Sequence, residues 1–355
     1  MRRIAVTVVI VGTLLMAGAG PASAHTVAGT GATNFKTTLT KKPAIAELRV
    51  KVIEAGSRLQ ATYTGSDPVY VLGYQGEQYL RIDGRGVFEN LRSPATYINK
   101  TRNGNNPPGS ADPRETPQWH KISSGHVARW HDHRIHWMGG VNPPAVRATP
   151  DKNHVVIPDW KVVFTRGALQ TAAEGTLVWV PGPSPAPMLL LAFVIGALLV
   201  GVSRRANPFL SVAIATALLV VIDIVHSLSI GFANAGTVAQ QLGRTLSGAT
   251  VSIPAWIVGA GAVYFLTRKR VDGFFAAVFC GLIVAVVGGL ADSTVLSRSQ
   301  VPFALSTQLA RYIVMLSLGL GIGIAAASSL AIRKLEPRMF PPEDGPELEP
   351  ALVPA

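Results

Sequence analysis

The sequence predicts an exported, all-β sandwich followed by an α-helical membrane bundle of five spans. The chain of 355 residues divides into two halves that differ in composition. Residues 25–186 are polar, basic and rich in Gly and Pro, with short alternating runs typical of strands. Residues 187–333 are dominated by uncharged runs, each long enough to cross a bilayer core.

The first element is a secretory signal, which we expect to occupy residues 1–24. Arg2 and Arg3 precede an uncharged stretch, and Ala22-Ser23-Ala24 supplies the small residues that a signal peptidase requires. Cleavage after Ala24 would make His25 the first residue of the mature chain. The alternative is an uncleaved N-terminal anchor, for which the apolar stretch is short.

An extracytoplasmic β-sandwich, of the immunoglobulin-like class, is predicted for residues 25–180. Residues 47–54 and 58–64 alternate polar and apolar side chains around Ala55-Gly56-Ser57, which predicts a β-hairpin. Residues 101–118 are rich in Asn, Pro and Gly and predict a long loop. Cys280 is the only cysteine, so no disulfide can stabilise this domain. Further strands are predicted at 69–74, 78–82, 154–157, 160–165 and 176–180.

A Pro-rich linker at residues 181–187 leads into the membrane region, 188–333. The five predicted spans are 187–203, 208–230, 249–267, 273–291 and 306–332. The loops on one side carry Arg204-Arg205, Arg268-Lys269-Arg270 and Arg333-Lys334, whereas the opposite loops carry only Arg244 and Arg298. By the positive-inside rule the richer side is cytoplasmic, which places the β-domain outside and the tail, 334–355, inside.

The net charge of +12 belongs partly to these cytoplasmic anchors and partly to the exported domain. A basic surface outside the cell favours the anionic headgroups of the lipid bilayer as its partner. We therefore expect no nucleic-acid partner.

Two groups of residues suggest a metal site. The free amine and the Nδ1 atom of an N-terminal His25 would chelate one ion, and copper favours that pair of nitrogens. His131 and His133 flank a single residue, so on a continuous strand both imidazoles would face the same side. Asp132 would then point the other way and could orient a neighbouring ring.

Further donors surround this pair. His136 would lie on the opposite face unless the chain bends at Arg134, and Met138 offers a thioether that suits Cu(I). His120 and His126 are candidate secondary ligands. The alternative is a hydrogen-bonded polar patch among Trp119, Trp130 and Trp137.

The N-terminal His25 followed by Trp130-His131-Asp132-His133 resembles the first extracytoplasmic, cupredoxin-like domain of the B subunit of particulate methane and ammonia monooxygenases. The resemblance implies copper bound by His25, His131 and His133. It covers these positions and the general layout only. A second cupredoxin domain is missing and five spans replace two, so monooxygenase activity is not implied. The fusion to a multi-span region is also similar to bacterial copper resistance proteins.

Four polar residues lie within or beside the predicted spans, all toward the outer leaflet: Asp223, His226, Asp292 and Arg311. Buried in hydrocarbon, such groups need partners. The sequence leaves two interpretations open, an ion-pair network that joins helices or a relay for metal or protons.

These observations favour a membrane-anchored copper-binding protein that captures the ion and stores it, delivers it to a cuproenzyme or copper chaperone, or passes it inward. Two alternatives are a copper oxidase with a histidine-brace site and a non-metal receptor or assembly factor. The sequence contains no nucleophile elbow, phosphate loop or zinc-finger spacing, so we do not expect an enzyme of those classes.

Overall fold

The computed structural model describes residues 31–101 and 103–339. The predicted signal peptide, His25 and most of the predicted cytoplasmic tail lie outside these residues. The chain forms two compact units. The first contains the β-region together with His226–Ala249 and Ala291–Val314, and the second contains Pro187–Val225, Thr250–Leu290 and the chain from Met315 onward.

The β-region consists of two antiparallel sheets, as the predicted sandwich requires. Seven strands form one sheet in the order β1-β10-β9-β4-β5-β6-β7, and three form the other in the order β2-β3-β8. The strands are β1 (Phe35–Lys41), β2 (Leu48–Ile53), β3 (Arg58–Tyr63), β4 (Val69–Leu72), β5 (Gln78–Asp83), β6 (Gly86–Asn90), β7 (Trp119–Ser123), β8 (Val127–His131), β9 (His154–Arg166) and β10 (Leu169–Trp179). Two short helices, α1 (Pro94–Ile98) and α2 (Pro144–Ala148), interrupt the loops.

The core of this region buries apolar side chains from both sheets. Leu59 and Tyr63 come from the small sheet, and Val71, Ile82 and Phe164 come from the large one. All five are fully buried. Burial of this kind is the main stabilising contribution available to a domain without disulfides.

The predicted hairpin is confirmed, because β2 and β3 pair antiparallel from Leu48 opposite Tyr63 to Ile53 opposite Arg58. The two strands predicted at 154–157 and 160–165 are instead one, β9, which continues past Pro158 with register shifts against β10. Gly175 of β10 makes this possible. A Cβ there would lie 2.3 Å from the Trp160 ring.

The helical region contains α3 (Ala186–Arg205), α4 (Pro208–Ala233), α5 (Val238–Gly248), α6 (Ser252–Thr267), α7 (Asp272–Val284) and α8 (Thr307–Met339). Two irregular turns follow α7, a π-helix at Ala285–Leu290 and a 3₁₀-helix at Ser293–Leu296.

In the described part of the chain, four helical segments are long and apolar enough to cross a membrane. A fifth span exists only if α5 and α6, which meet at a bend of 73°, count as one. The predicted span at 249–267 therefore becomes a helix of 16 residues. Pro254 lies in its first turn, where proline is tolerated, and a continuous helix through that position would lose a hydrogen bond.

Glycines allow close helix contacts in the second unit. A Cβ on Gly281 would lie 2.7 Å from the Gly321 carbonyl oxygen, and one on Gly319 would lie 2.6 Å from that of Ala192. Small residues at such contacts are typical of membrane helix packing.

Within the first unit, the segment after the 3₁₀-helix is attached to one end of the β1–β10 pair, where the start of β1 lies beside the end of β10. Thr33 and Gln300 form an antiparallel bridge with two backbone hydrogen bonds of 2.8 Å. The Ser299 hydroxyl donates to the Val180 carbonyl at 2.7 Å, and the Asn34 side chain accepts from the Ser299 amide at 2.9 Å. The start of β1 and the end of β10 are therefore fastened to residues 299–300.

Candidate metal centre

His131 is the last residue of β8 and is 4% exposed. Its Nε2 atom lies 3.1 Å from Arg58 Nε, and its Nδ1 atom lies 3.0 Å from the Ser57 carbonyl oxygen. A guanidinium can only donate, so Nε2 accepts and Nδ1 carries the proton. Both ring nitrogens of His131 therefore take part in hydrogen bonds to the start of β3.

The strand ends at His131 because Asp132 begins a turn. The Asp132 carboxylate accepts from the Arg134 amide at 3.1 Å, and the Ile135 amide donates to the Asp132 carbonyl at 3.1 Å. Aspartate favours such turns because its side chain bonds to the backbone two residues on. The strand on which the predicted His131–His133 spacing depends thus ends two residues before His133.

His133 lies within that turn and is half-buried. Its Nε2 atom is 3.1 Å from the Thr101 carbonyl oxygen, and its amide donates to the Tyr74 hydroxyl at 3.1 Å. Because a carbonyl only accepts, Nε2 carries the proton and Nδ1 carries the lone pair. Histidines that bind metals are commonly oriented in this way, with the second ring nitrogen donating to a carbonyl.

The turn brings His133 and His136 together. Their ring centroids are 5.4 Å apart at an interplanar angle of 61°. His136 is 4% exposed. The carbonyl of Ile135, the residue before His136, accepts a hydrogen bond of 2.9 Å from the Thr37 hydroxyl of β1. This bond fixes the turn against that strand.

A buried ion pair between Asp132 and Arg134 stabilises the turn. Asp132 is fully buried and accepts from Trp130 Nε1 at 2.9 Å and from Arg134 at 2.7 Å. Burial acts against the charge of Arg134, but Asp132 raises the pKa of the guanidinium. Asp132 therefore stabilises the turn through Trp130 and Arg134, a role different from the ring orientation that the sequence suggested.

A strained turn lies beside the His131 ring. Glu54, Ala55 and Gly56 have φ values of 54°, 51° and 91°, in the left-handed region. Such backbone is costly for residues other than glycine and persists only where the surroundings hold it in place. The Thr37 hydroxyl, which binds Ile135, is also 3.4 Å from the Gly56 carbonyl oxygen.

The other predicted metal donors, His120, His126 and Met138, have surroundings different from those of His133 and His136. His120 lies on β7 with its Nδ1 3.4 Å from Glu89 Oε1, and His126 lies in the turn before β8. Met138 follows the histidine turn and is 43% exposed. In the described residues no three His, Cys, Asp or Glu side chains are grouped so that they could hold a metal ion. His25, the predicted chelating residue, is not among the residues that the structure describes.

Comparison with known proteins gives no match. No family model, no curated protein and no solved structure is significantly similar to this chain. The resemblance to copper domains rests on the motif residues alone.

The four polar membrane residues make different contacts. His226 Nε2 lies 3.2 Å from Asp292 Oδ2. Asp223 accepts from Trp256 Nε1 at 2.7 Å. Arg311 donates to the Arg298 carbonyl at 2.8 Å and to Gln308 Oε1 at 3.2 Å. Of the predicted group, the structure therefore joins His226 to Asp292, while Asp223 and Arg311 use partners that the sequence did not suggest.

Proposed function

We propose that this protein is a membrane-anchored, extracytoplasmic copper-binding protein that serves in copper capture, delivery or uptake. The observation that carries the proposal is the orientation of His133. Its Nε2–H is fixed on the Thr101 carbonyl and its Nδ1 lone pair is left for a ligand, in a turn that also holds His136 and directly follows His131. We call these three residues the histidine cluster.

The donor chemistry of the cluster fits copper. Imidazole nitrogens suit copper, and an N-terminal amine with its own imidazole would complete three or four nitrogen ligands. The residues that would hold the ion are His25 and members of the histidine cluster, among which the sequence favours His131 and His133. Bound copper would supply a redox-active, exchangeable centre, and the protein residues orient the imidazoles and exclude water from the buried side.

Within the first unit, the cluster is connected through β1 to the segment that contains Gln300. Thr37, which contacts the Ile135 carbonyl, lies four residues after Thr33, about 13 Å along an extended strand. Thr33 is bridged to Gln300, in the segment that leads into α8. Thr33 is the eighth residue after His25, and eight residue steps can span up to roughly 28 Å, so the chain length allows His25 to reach the cluster.

The proposal is tested by copper titration of the purified, full-length mature protein in detergent, with a chelator competing for the ion. We expect one tightly bound copper. His133→Ala should raise the Kd at least tenfold, about 1.4 kcal/mol, and one residue added before His25 should do the same. His154→Ala is a matched control, because its Nε2 lies 2.7 Å from the Thr149 carbonyl oxygen at the start of β9.

A wild-type protein that binds no copper would contradict the proposal and favour the receptor or assembly factor. Copper-dependent consumption of oxygen or peroxide by the purified protein would favour the oxidase instead. Copper binding without turnover is the expected result.

A further inference from the structure

Two ring hydrogen bonds fix His131 within the histidine cluster. His131 accepts at Nε2 from Arg58 and donates at Nδ1 toward Ser57. Coordination of an ion by either nitrogen would replace a hydrogen bond that already fastens β8 to β3. Arg58 would then lie against the ion with its positive charge, which opposes binding.

Arg58 is itself held in this position. Its Nε atom is 3.6 Å from Glu54 Oε2, and the Glu54 side chain is 1% exposed. Glu54 belongs to the left-handed turn that also presents the Ser57 carbonyl to His131. Glu54 therefore holds Arg58 in place, and Arg58 in turn holds the His131 imidazole by a hydrogen bond.

The rings of His133 and His136 are spaced as two imidazoles that bind one ion would be. Two imidazoles that share one ion at about 2.0 to 2.1 Å have ring centroids roughly 4.5 to 6.5 Å apart. The observed separation of 5.4 Å lies within that range. The spacing arises from the turn at Asp132, which places residues three apart side by side, and His133 presents Nδ1 while Thr101 holds Nε2.

We infer that His133 and His136 are the two imidazoles of the cluster that bind the ion, and that His131 is a positioning residue. The inference rests on the proposed function and changes its ligand set, because the Trp-His-x-His motif assigns the role to His131 and His133. His131 fixes the end of β8, and Asp132 starts the turn that brings the two ligands together. The ligand spacing is thus i and i+3 on a turn, where the motif would place i and i+2 on a strand.

The experiment compares His131→Gln, His133→Gln and His136→Gln in the full-length protein, with His154→Gln as the matched control. Copper affinity is measured by chelator competition, and X-ray absorption counts the imidazoles around bound copper. Circular dichroism and the thermal unfolding midpoint report the fold. We expect His133→Gln and His136→Gln each to raise the Kd at least tenfold and to remove one imidazole. His131→Gln should lower the unfolding midpoint and leave both copper measurements unchanged.

Arg58→Gln provides a second test that leaves every histidine in place. If His131 were a ligand, removing the charged donor at Nε2 would tighten copper binding severalfold. If His131 is a positioning residue, the variant lowers the unfolding midpoint and the Kd stays within about twofold. This test decides the question even if His131→Gln does not fold.

Two results would overturn the inference while copper binding itself stands. One is a folded His136→Gln variant with wild-type affinity and imidazole count. The other is a tighter Kd in Arg58→Gln. A wild-type protein without copper would instead refute the proposed function, and the ligand assignment with it.

Discussion

His226 and Asp292 form a buried pair in the first unit, with side chains 3% and 9% exposed and His226 Nε2 3.2 Å from Asp292 Oδ2. His226 also lies 6.0 Å from the Phe303 ring, and the Ala304 amide donates to the Ser229 carbonyl at 3.0 Å. The segment between the 3₁₀-helix and α8 is therefore attached to the end of α4. The same segment is bridged to β1 through Gln300, so the pair helps to hold the end of α4 and the β-region together within the first unit.

Removing one member of this pair should destabilise the protein. His226→Ala or Asp292→Asn would leave a buried polar group with an altered partner, at a cost of about 1 to 3 kcal/mol. We expect less protein in the membrane and a lower thermal unfolding midpoint. The double variant His226→Leu with Asp292→Leu should recover part of the loss, because apolar residues often replace buried pairs at little cost.

Copper accumulation measured in the same strains distinguishes structure from transport. In a relay, His226→Ala would abolish copper accumulation at a normal protein level. If accumulation falls only in proportion to the protein level, the pair is structural.

Trp256→Phe should also destabilise the second unit. Trp256 Nε1 donates to the carboxylate of Asp223, which is 1% exposed, at 2.7 Å. Leaving a buried carboxyl group without this hydrogen bond costs about 1 to 3 kcal/mol, which the unfolding midpoint in detergent would report. Trp137→Phe is the control, because Trp137 donates only to the exposed Val141 carbonyl. Equal midpoints for the two variants would contradict this prediction.

Tyr79 makes the stability of the β-region sensitive to alkaline pH. Burial raises the pKa of its phenol well above the usual value, against a smaller opposing effect of the Asn99 side chain. A pKa raised in the folded state means that Tyr79 contributes stability below the unfolded value of about 10, and that this contribution is lost as the pH rises further. The unfolding midpoint should therefore fall progressively as the pH rises above about 10. Tyr79→Phe should reduce that fall, and an unchanged slope would contradict the assignment.

Much of the fold follows from sequence patterns. The alternation in residues 47–64 predicts the β2–β3 hairpin, and the uncharged runs predict the apolar helices. The sequence patterns do not predict β1, β6 or β7. β1 carries mainly Lys and Thr, and it becomes a strand because β10 pairs with it along most of its length. Pairing with a distant strand is a tertiary effect that a local pattern does not contain.

The sequence predicts the arrangement of the histidine site less well than it predicts the fold, because the turn at Asp132 changes the spacing of the histidines. The pattern His131-Asp132-His133 reads as strand spacing only if Asp132 continues the strand. Asp132 is instead a turn residue, which is a signal that the sequence does contain. The contacts of His131 with Arg58 and Ser57 depend on the pairing of β3 with β8, so no spacing rule could have revealed them.

The membrane topology can be tested with single cysteines. Cys280 is buried and provides a nearly silent background. Ala206→Cys follows the Arg204-Arg205 pair and should be cytoplasmic, whereas Ala239→Cys on α5 should be outside. Both positions are exposed in the structure. A membrane-impermeant maleimide should label Ala239→Cys in intact cells and Ala206→Cys only after lysis. The reverse labelling would invert the predicted orientation.

The mature protein should begin at His25, since Ala22-Ser23-Ala24 is the best cleavage site in the leader. Only a free amine at His25 can join its own imidazole in a chelate, so retention of the leader would remove two of the predicted nitrogen ligands. Intact-mass measurement of membrane-purified protein decides the point. Ala24→Leu is the informative variant, because a large residue before the cleavage point should block processing, and we expect the retained leader to weaken copper binding at least tenfold. Wild-type affinity in the unprocessed variant would exclude the His25 amine as a ligand and leave the histidine cluster to bind copper without it.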